Sequence, residues 1–328
     1  MLLDKKDKRI IYELDKNARQ PLSNIAKIVQ LKRESILYRL KKYFQEGLIR
    51  NYLTVIDMSK LGFLHYKIYL RLHNITENQE KEIIESLCKN PFVSWISSCD
   101  GSYSMILGIK ARSMEELNEI LKDINSKFWK FIKEQHITTI INAHHYYRDY
   151  LIEKRGTTER KIEWGVSRNK VELDEKDLFI IDMLSKNSRV NSVEISSKLK
   201  ISPDTVIQRI KKLEKLKVIE HYMIWPNLNK LKGIYYKVLI SLHNFNNERE
   251  NKLYNYCLQN SNIVYLVNCL GDWQLEVDIE VENVQQFRNI MRNFLNNFSE
   301  IVSDYTALNV YEEYKFRFFE KELFNKNI

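Results

Sequence analysis

The chain is poor in the residues on which several chemistries depend. Its 4 cysteines, Cys88, Cys99, Cys257 and Cys269, show no CxxC spacing among 328 residues. That argues against a zinc site and suits buried, reduced thiols in a cytoplasmic protein. The 8 glycines make no Gly-rich phosphate loop. Neither a nucleophile elbow nor paired catalytic carboxylates appear. No uncharged apolar stretch approaches the roughly 18 residues of a membrane span. Met1-Leu2-Leu3 runs straight into Asp4-Lys5-Lys6-Asp7, which is no signal-peptide core. With 44% hydrophobic and 29% charged residues, the composition is that of a soluble globular protein. The expectation is a cytoplasmic protein without metal, cofactor, membrane contact or enzymatic activity.

What is present is present twice. Leu3-Asp4-Lys5-Lys6-Asp7 returns 170 positions later as Leu173-Asp174-Glu175-Lys176-Asp177, and Lys16-Asn17-Ala18-Arg19 as Lys186-Asn187-Ser188-Arg189. Tyr66-Lys67 and Leu72-His73-Asn74 match Tyr236-Lys237 and Leu242-His243-Asn244, and Cys99 and Gly101 land on Cys269 and Gly271. Near the end the match shifts to 167, Asn142 with Asn309, as if one copy held three more residues before its last strand. The period far exceeds the 20–50 residues of solenoid repeats. A whole unit is duplicated, and since most homo-oligomers are two-fold dimers, the arrangement reads as a dimer fused into one chain.

Each unit begins with helices. Asp4 and Asp174 are N-cap candidates, with Asp7 and Asp177 in the first turn. A second helix starts near Pro21 and near Asn191, where Asn191 and Glu194 resemble a capping box. A third spans about 32–46 and 202–216, with Ile36, Leu37 and Leu40, or Val206, Ile207 and Ile210, as its inner face. Arg33, Ser35, Tyr38, Arg39 and Lys42 face elsewhere, as do Thr205, Gln208, Arg209 and Lys212. Residues 48–53 and 218–223 read as strands of a small wing. Three helices ending in a basic, polar-faced one make a helix-turn-helix whose third helix suits the major groove of double-stranded DNA. There Arg grips guanine and Gln grips adenine. Residues 1–50 carry 13 Lys/Arg against 6 Asp/Glu, a balance of +7, whereas 171–222 carry 10 against 9. Polyanion contact is expected mainly at the first front end.

The rest of each unit alternates differently. His65 to Asn74 reads as a half-buried strand, with Tyr66, Ile68, Leu70 and Leu72 apolar and Lys67, Arg71 and His73 polar. A helix near 77–89, strands near 92–99 and 103–110, a helix over 113–130 and a strand near 137–144 complete a β-α-β-β-α-β order. That order is a ferredoxin-like α+β sandwich. The expected domains are two winged helix-turn-helices (1–55 and 171–225), two sandwiches (60–150 and 230–328) and an exposed, partly disordered linker (151–170).

This layout resembles the Lrp/AsnC family of leucine-responsive, or feast/famine, transcription regulators. The residues carrying the resemblance are Leu3-Asp4-x-x-Asp7, Asn17-Ala18-Arg19 and Ile25-Ala26, then Asn187-Ser188-Arg189, Ile201-Ser202 and Arg209-Ile210-x-x-Leu213. In the sandwiches they are Gly101-Ser102-Tyr103 and Gly271-Asp272-Trp273. The layout resembles tandem, double-length members found in some archaea. The resemblance implies that the helix-turn-helices read DNA and that the sandwiches pair through their sheets, within one chain or as a larger homo-oligomer. It further implies an amino-acid-like effector at the pair interface, near Gly101, Ser102, Tyr103, Ser104, Gly271, Asp272, Trp273 and Gln274. Where the family usually has glycine in the helix-turn-helix turn, this chain has Gln30 and Lys200.

His144-His145-Tyr146-Tyr147-Arg148 suggests a metal or catalytic site, but no third ligand is spaced for one. The segment reads as the end of a strand packing aromatics at an interface. A different class shares the two-part layout: sirohaem decarboxylases, which depend on His and Arg near the sandwich. His144, His145 and Arg148 are the candidates for that role.

Overall fold

The computed structural model describes residues 3–154, 161–165, 169–244 and 246–324. In each unit three helices come first: α1 (Lys5–Lys16), α2 (Leu22–Val29) and α3 (Arg33–Gln45), then β1 (Ile49–Ile56). Asp4 caps α1 by accepting from the Asp7 backbone, and the Asp7 carboxylate accepts from the Asp4 N–H, which completes a capping box. Ile10, Ile11 and Leu14 are fully buried, as the helical spacing requires. The sandwich follows as β2 (Leu64–Leu72), α4 (Glu77–Lys89), β3 (Val93–Asp100), β4 (Met105–Ala111), α5 (Met114–Phe128) and β5 (Ile132–Tyr146), with β6 (Lys161–Gly165) after it. The second unit repeats this as α6 (Glu175–Lys186), α7 (Ser192–Leu199), α8 (Pro203–Lys215), β7 (Ile219–Pro226), β8 (Ile234–Leu242), α9 (Asn247–Gln259), β9 (Ile263–Leu270), β10 (Leu275–Val281), α10 (Val284–Phe298) and β11 (Val302–Phe316). The fold is α+β, with ferredoxin-like strand order β5-β2-β4-β3 and β11-β8-β10-β9.

The two sheets join edge to edge at both ends. β11 pairs with β8 of its own unit through Val302–Val310, then with β3 of the first unit through Asn309–Phe316. β5 likewise pairs with β2 and then with β9. The result is a closed antiparallel ring of eight strands, with β6 added outside β5. A ring has no free edge. The shift to a 167 offset near the end is corrected by the ladder: Thr139 sits opposite Tyr66 and Asn309 opposite Tyr236, so 170 holds throughout.

Ring closure also corrects the reading of β2 as half-buried. Ile68 and Leu70 face the helices, while Lys67 and Tyr69 turn into the ring and are buried as well. The ring interior is ionic: Lys67 pairs with Glu276 across the units, and Lys237 Nζ lies 2.5 Å from Asp278 and 3.5 Å from Glu276. Burial by itself would raise the Glu276 carboxyl, but the two lysines more than offset it and hold it at about 2. A depressed folded value contributes stability above the unfolded value near 4.3 that is lost as pH falls toward 2. Glu276→Gln should therefore lower stability at neutral pH and flatten the acid limb between about 4.5 and 2. Urea titrations across that range check it, and an unchanged limb would contradict it.

Two further expectations are corrected. The strands expected to form a small wing in each head pair across the heads instead. β1 pairs antiparallel with β7, Tyr52 opposite Ile224 and Leu53 opposite Met223, so one ribbon joins both heads. The linker at 151–170 is not all exposed chain either. Residues 155–160 and 166–168 lie outside the described residues, but Lys161–Gly165 form β6 against Asn142–Tyr146, with Ile162 buried.

Candidate nucleic-acid interface

The repeated Asn-x-Arg motif holds the heads together. Arg19 donates to the backbone oxygens of Ser188 and, at 3.1 Å, Val190; Arg189 reciprocates toward Ala18 and, at 3.2 Å, Gln20. Arg19 also stacks over Tyr222, and Arg189 over Tyr52. The Ala18 N–H bonds the Tyr222 oxygen at 2.9 Å, and the Ser188 N–H bonds the Tyr52 oxygen at 3.0 Å. Each head thus completes itself on the other's strand, with approximate two-fold symmetry.

The third helices present their outer faces away from this ribbon. In α3, Ile36, Leu40 and Tyr43 are buried; in α8, Val206, Ile210 and Leu213 are. Leu37 and Ile207, expected inside, are 42% and 39% exposed. At about 100° per residue they lie one step round from the i, i+4, i+7 stripe. Tyr38 is 69% exposed. Arg33, Thr205, Gln208 and Lys212 are exposed, and Ser35 and Lys42 partly so. Lys41 and Lys211 are exposed too, at matching positions that the sequence reading did not select. The turns before both helices take left-handed backbone at Gln30 (φ 56°) and Lys200 (φ 53°), the geometry glycine would otherwise supply.

Arg39 and Arg209, expected on the reading face, make ion pairs within their own heads. Both reach back to the first helix of their own head. Arg39 pairs with Asp7 and with Asp4 at 3.0 Å, and the Tyr43 hydroxyl donates to Asp7 at 2.5 Å. Arg209 lies 2.8 Å from Asp174 and 2.7 Å from Asp177. The carboxylates that cap α1 and α6 thereby hold the third helix in place. Arg39→Ala with Arg209→Ala should lower the melting temperature of the DNA-free protein, at about 1–3 kcal/mol per head. An unchanged melt would return both arginines to the reading face.

The turns expected to bind an effector lie on the seam between the units. Gly101 (φ +126°) runs beside Ala307 and Leu308, and a Cβ there would stand 3.1 Å from the Leu308 side chain. A Cβ on Gly271 would stand 2.8 Å from Thr138 and 2.9 Å from the Ile137 oxygen. Trp273 is buried against Tyr69 at 4.7 Å, with Tyr103 6.1 Å away. Ser104 Oγ accepts from the Leu72 N–H at 3.1 Å and Gln274 Oε1 from the Leu242 N–H at 2.9 Å, so both side chains close strand ends. Ser102 and Asp272 are exposed, and Asp272 contacts His136 of the first unit. His144 and His145 are buried in the β5–β9 seam, beside Tyr254 and Tyr265 of the second unit. Arg148 is held between Asp15 and Glu280.

Residues 3–43 match the AsnC-type helix-turn-helix domain, and 173–220 match a winged helix-turn-helix DNA-binding domain. The HTH-type transcriptional regulator FL11 of Pyrococcus horikoshii is 31% identical over 124 residues, which span 38% of this chain and 81% of that protein. The chain belongs to the Lrp/AsnC family. This Lrp/AsnC protein is a DNA-binding transcription regulator. A double-length fold is known as well: the siroheme decarboxylase NirDL superposes with a TM-score of 0.60, covering 98% of this chain and 97% of that one, at 12% identity. That likeness shows the fold alone. No helix among the described residues is long and apolar enough to cross a membrane.

Proposed function

We propose that this regulator works as a single-chain pseudo-dimer in the cytoplasm, with no catalytic role, laying α3 and α8 on two unequal half-sites of double-stranded DNA. The observation that carries this is the reciprocal Arg19 and Arg189 clasp, which fixes two AsnC-type heads about one ribbon with both third helices outward. The regulator's working units would be two heads, 1–55 and 171–225, and two sandwiches, 60–150 and 230–328, with β6 added to the first. Arg33, Ser35, Tyr38, Lys41 and Lys42 would read or hold one half-site, and Thr205, Gln208, Lys211 and Lys212 the other. Leu37 and Ile207 would meet thymine methyl groups. The seam turns would take an amino-acid-like effector, with the exposed Asp272 carboxylate facing its amino group.

Selection from random duplex DNA should enrich an imperfect palindrome, because operator symmetry mirrors protein symmetry. The first head is the more basic, so Arg33→Ala with Lys41→Ala and Lys42→Ala, three cations removed, should reduce the salt slope more than Lys211→Ala with Lys212→Ala, two removed. Each phosphate that a side chain neutralises accounts for about 0.9 of that slope. Equal slopes, or no enriched motif, would defeat the proposal.

A second reading rests on the whole-chain likeness to NirDL: the chain would decarboxylate siroheme. The seam burial of His144 and His145 and the double ion pairing of Arg148 favour the regulator reading, since neither histidine nor arginine is free to meet a substrate. Incubation of the pure protein with siroheme, followed by a search for decarboxylated product, separates the two.

A further inference from the structure

A cavity of about 100 Å³ lies inside the ring at the end facing the heads, walled on one side by Met223–Pro226 of β7. Its charge is uneven. Lys67, Lys237 and Arg148 reach it, and each is matched by a carboxylate: Glu276, Asp278, and Asp15 with Glu280. Lys110 has no carboxylate in contact: burial pushes its ammonium well below the usual lysine range, and Glu320, which pulls the other way, is already paired with Lys315 and Arg317. Lys110 is 1% exposed, and its ammonium donates to two backbone oxygens, those of Phe318 and, at 3.2 Å, Arg317. Among the described residues no carboxylate lies within ion-pairing distance of it. An ammonium has three donors, two of them used here, and a buried cation with no counter-charge in contact is costly. The repeat makes the asymmetry plain, because the position matching Lys110 in the second unit is Glu280, which does neutralise a cation.

Beside Lys110 on the cavity wall stands His65, whose Nε2 is buried without a hydrogen-bond partner. Its ring lies 5.0 Å from Trp164. The rest of this side is aromatic: Trp164 and Phe318 meet edge-on at 5.9 Å, and Trp225 and Phe316 at 6.2 Å. Glu313, across the cavity, accepts from the indole N–H groups of Trp95 at 2.8 Å and Trp225 at 3.1 Å, so that carboxylate is already engaged. Gly108 opens the floor, where a Cβ would stand 3.1 Å from Trp95. A buried lysine with no carboxylate in contact and an unpartnered imidazole nitrogen, beside the aromatic side of the hollow, select one ligand chemistry.

The geometry points to a binding site for a small organic monocarboxylate, its carboxylate on Lys110 and His65 and its apolar body, of short branched-chain size, among Trp164, Trp225 and Phe318. The size follows from the volume: an apolar cavity of about 150 Å³ accepts a benzene ring, so one of about 100 Å³ stops short of a ring. This goes beyond the DNA-binding reading and does not depend on it.

Three of the chain's five tryptophans line the cavity, so the full-length protein reports occupancy by its own fluorescence. The probes are 3-methylbutanoate, its neutral analogue 3-methylbutanamide, acetate and inorganic phosphate. Saturable change with 3-methylbutanoate, at least about tenfold weaker with the amide, is expected, because a hydrogen bond to a charged group is worth that much. Acetate and phosphate both lack the apolar body, so both should bind more weakly still. Lys110→Met keeps the length and removes the charge; it should melt no lower than the parent and lose the carboxylate at least about tenfold. His65→Gln provides a second variant, expected to weaken 3-methylbutanoate while leaving the melt unchanged. No saturable change with 3-methylbutanoate overturns the site, as does equal binding of the amide or undiminished binding by a folded Lys110→Met protein.

Discussion

Arg148→Ala should destabilise the protein by about 3–5 kcal/mol, the range found when one member of a buried ion pair is removed. Arg148 Nη1 lies 2.6 Å from Asp15, and Nε and Nη2 each lie 2.9 Å from a Glu280 oxygen. Asp15 also accepts from the Arg148 backbone N–H at 3.0 Å, and the Tyr150 hydroxyl donates to Glu280 at 2.5 Å. Asp15 belongs to the first head, Arg148 follows β5, and Glu280 lies on β10 of the second unit, so one guanidinium joins three parts of the chain. Removing it strands two buried carboxylates. Arg148→Lys should recover only part of the loss, since an ammonium cannot form two forked contacts at once. Chemical denaturation measures the change. A loss under about 1 kcal/mol would mean that the carboxylates find other partners, and the junction would then be held by packing alone.

That junction shows where sequence reading stops. Local signals were legible because their partners are local. Asp4 and Asp174 cap helices three residues away, and Ile10, Ile11 and Leu14 report a buried face by spacing alone. The α+β order of each sandwich was legible for the same reason. The partners of β1 and β7 were not, since each strand pairs with a segment about 170 residues distant and nothing within it says so. β6 was hidden for a similar reason: its five residues become a strand only because the end of β5 offers an edge.

Within the candidate site the legible part was position, and the illegible part was direction. Tyr38 and Gln208 fell on the outer face as the spacing required. Arg39 and Arg209 fell near that face too, but a long side chain goes where its counter-charge is, and Asp7 and Asp177 lie on another helix. The alternation of Lys67 with Ile68 signalled a strand with one polar face. That the polar face looks into a closed ring, not into water, depends on the other unit.

A fragment of residues 60–150 should not be a stable monomer, and this is the largest effect expected of any truncation. Taken out of the chain, the sandwich loses β11 from the edge of β3 and β9 from the far half of β5. Seven residues of β5, Thr139 to His145, would keep no partner beyond their first rung on Tyr66. Tyr69, Trp95 and Ile106 would lose the cover of Leu239, Trp273 and Leu308. Long unpaired strands with apolar neighbours seek other strands. The fragment carries a remedy, because both seams join the second sandwich strand of one unit to the last strand of the other. Two copies can therefore rebuild a ring of eight by pairing β3 of each with β5 of its mate. Light scattering should show a dimer at low concentration of fragment, or aggregates if the ring fails to close. In the full chain, Trp273→Ala should weaken the same seam by about 3–5 kcal/mol, the usual loss for a buried tryptophan. A well-folded, monodisperse monomer of the fragment at high concentration would show that each sandwich is complete in itself and that the seams contribute little.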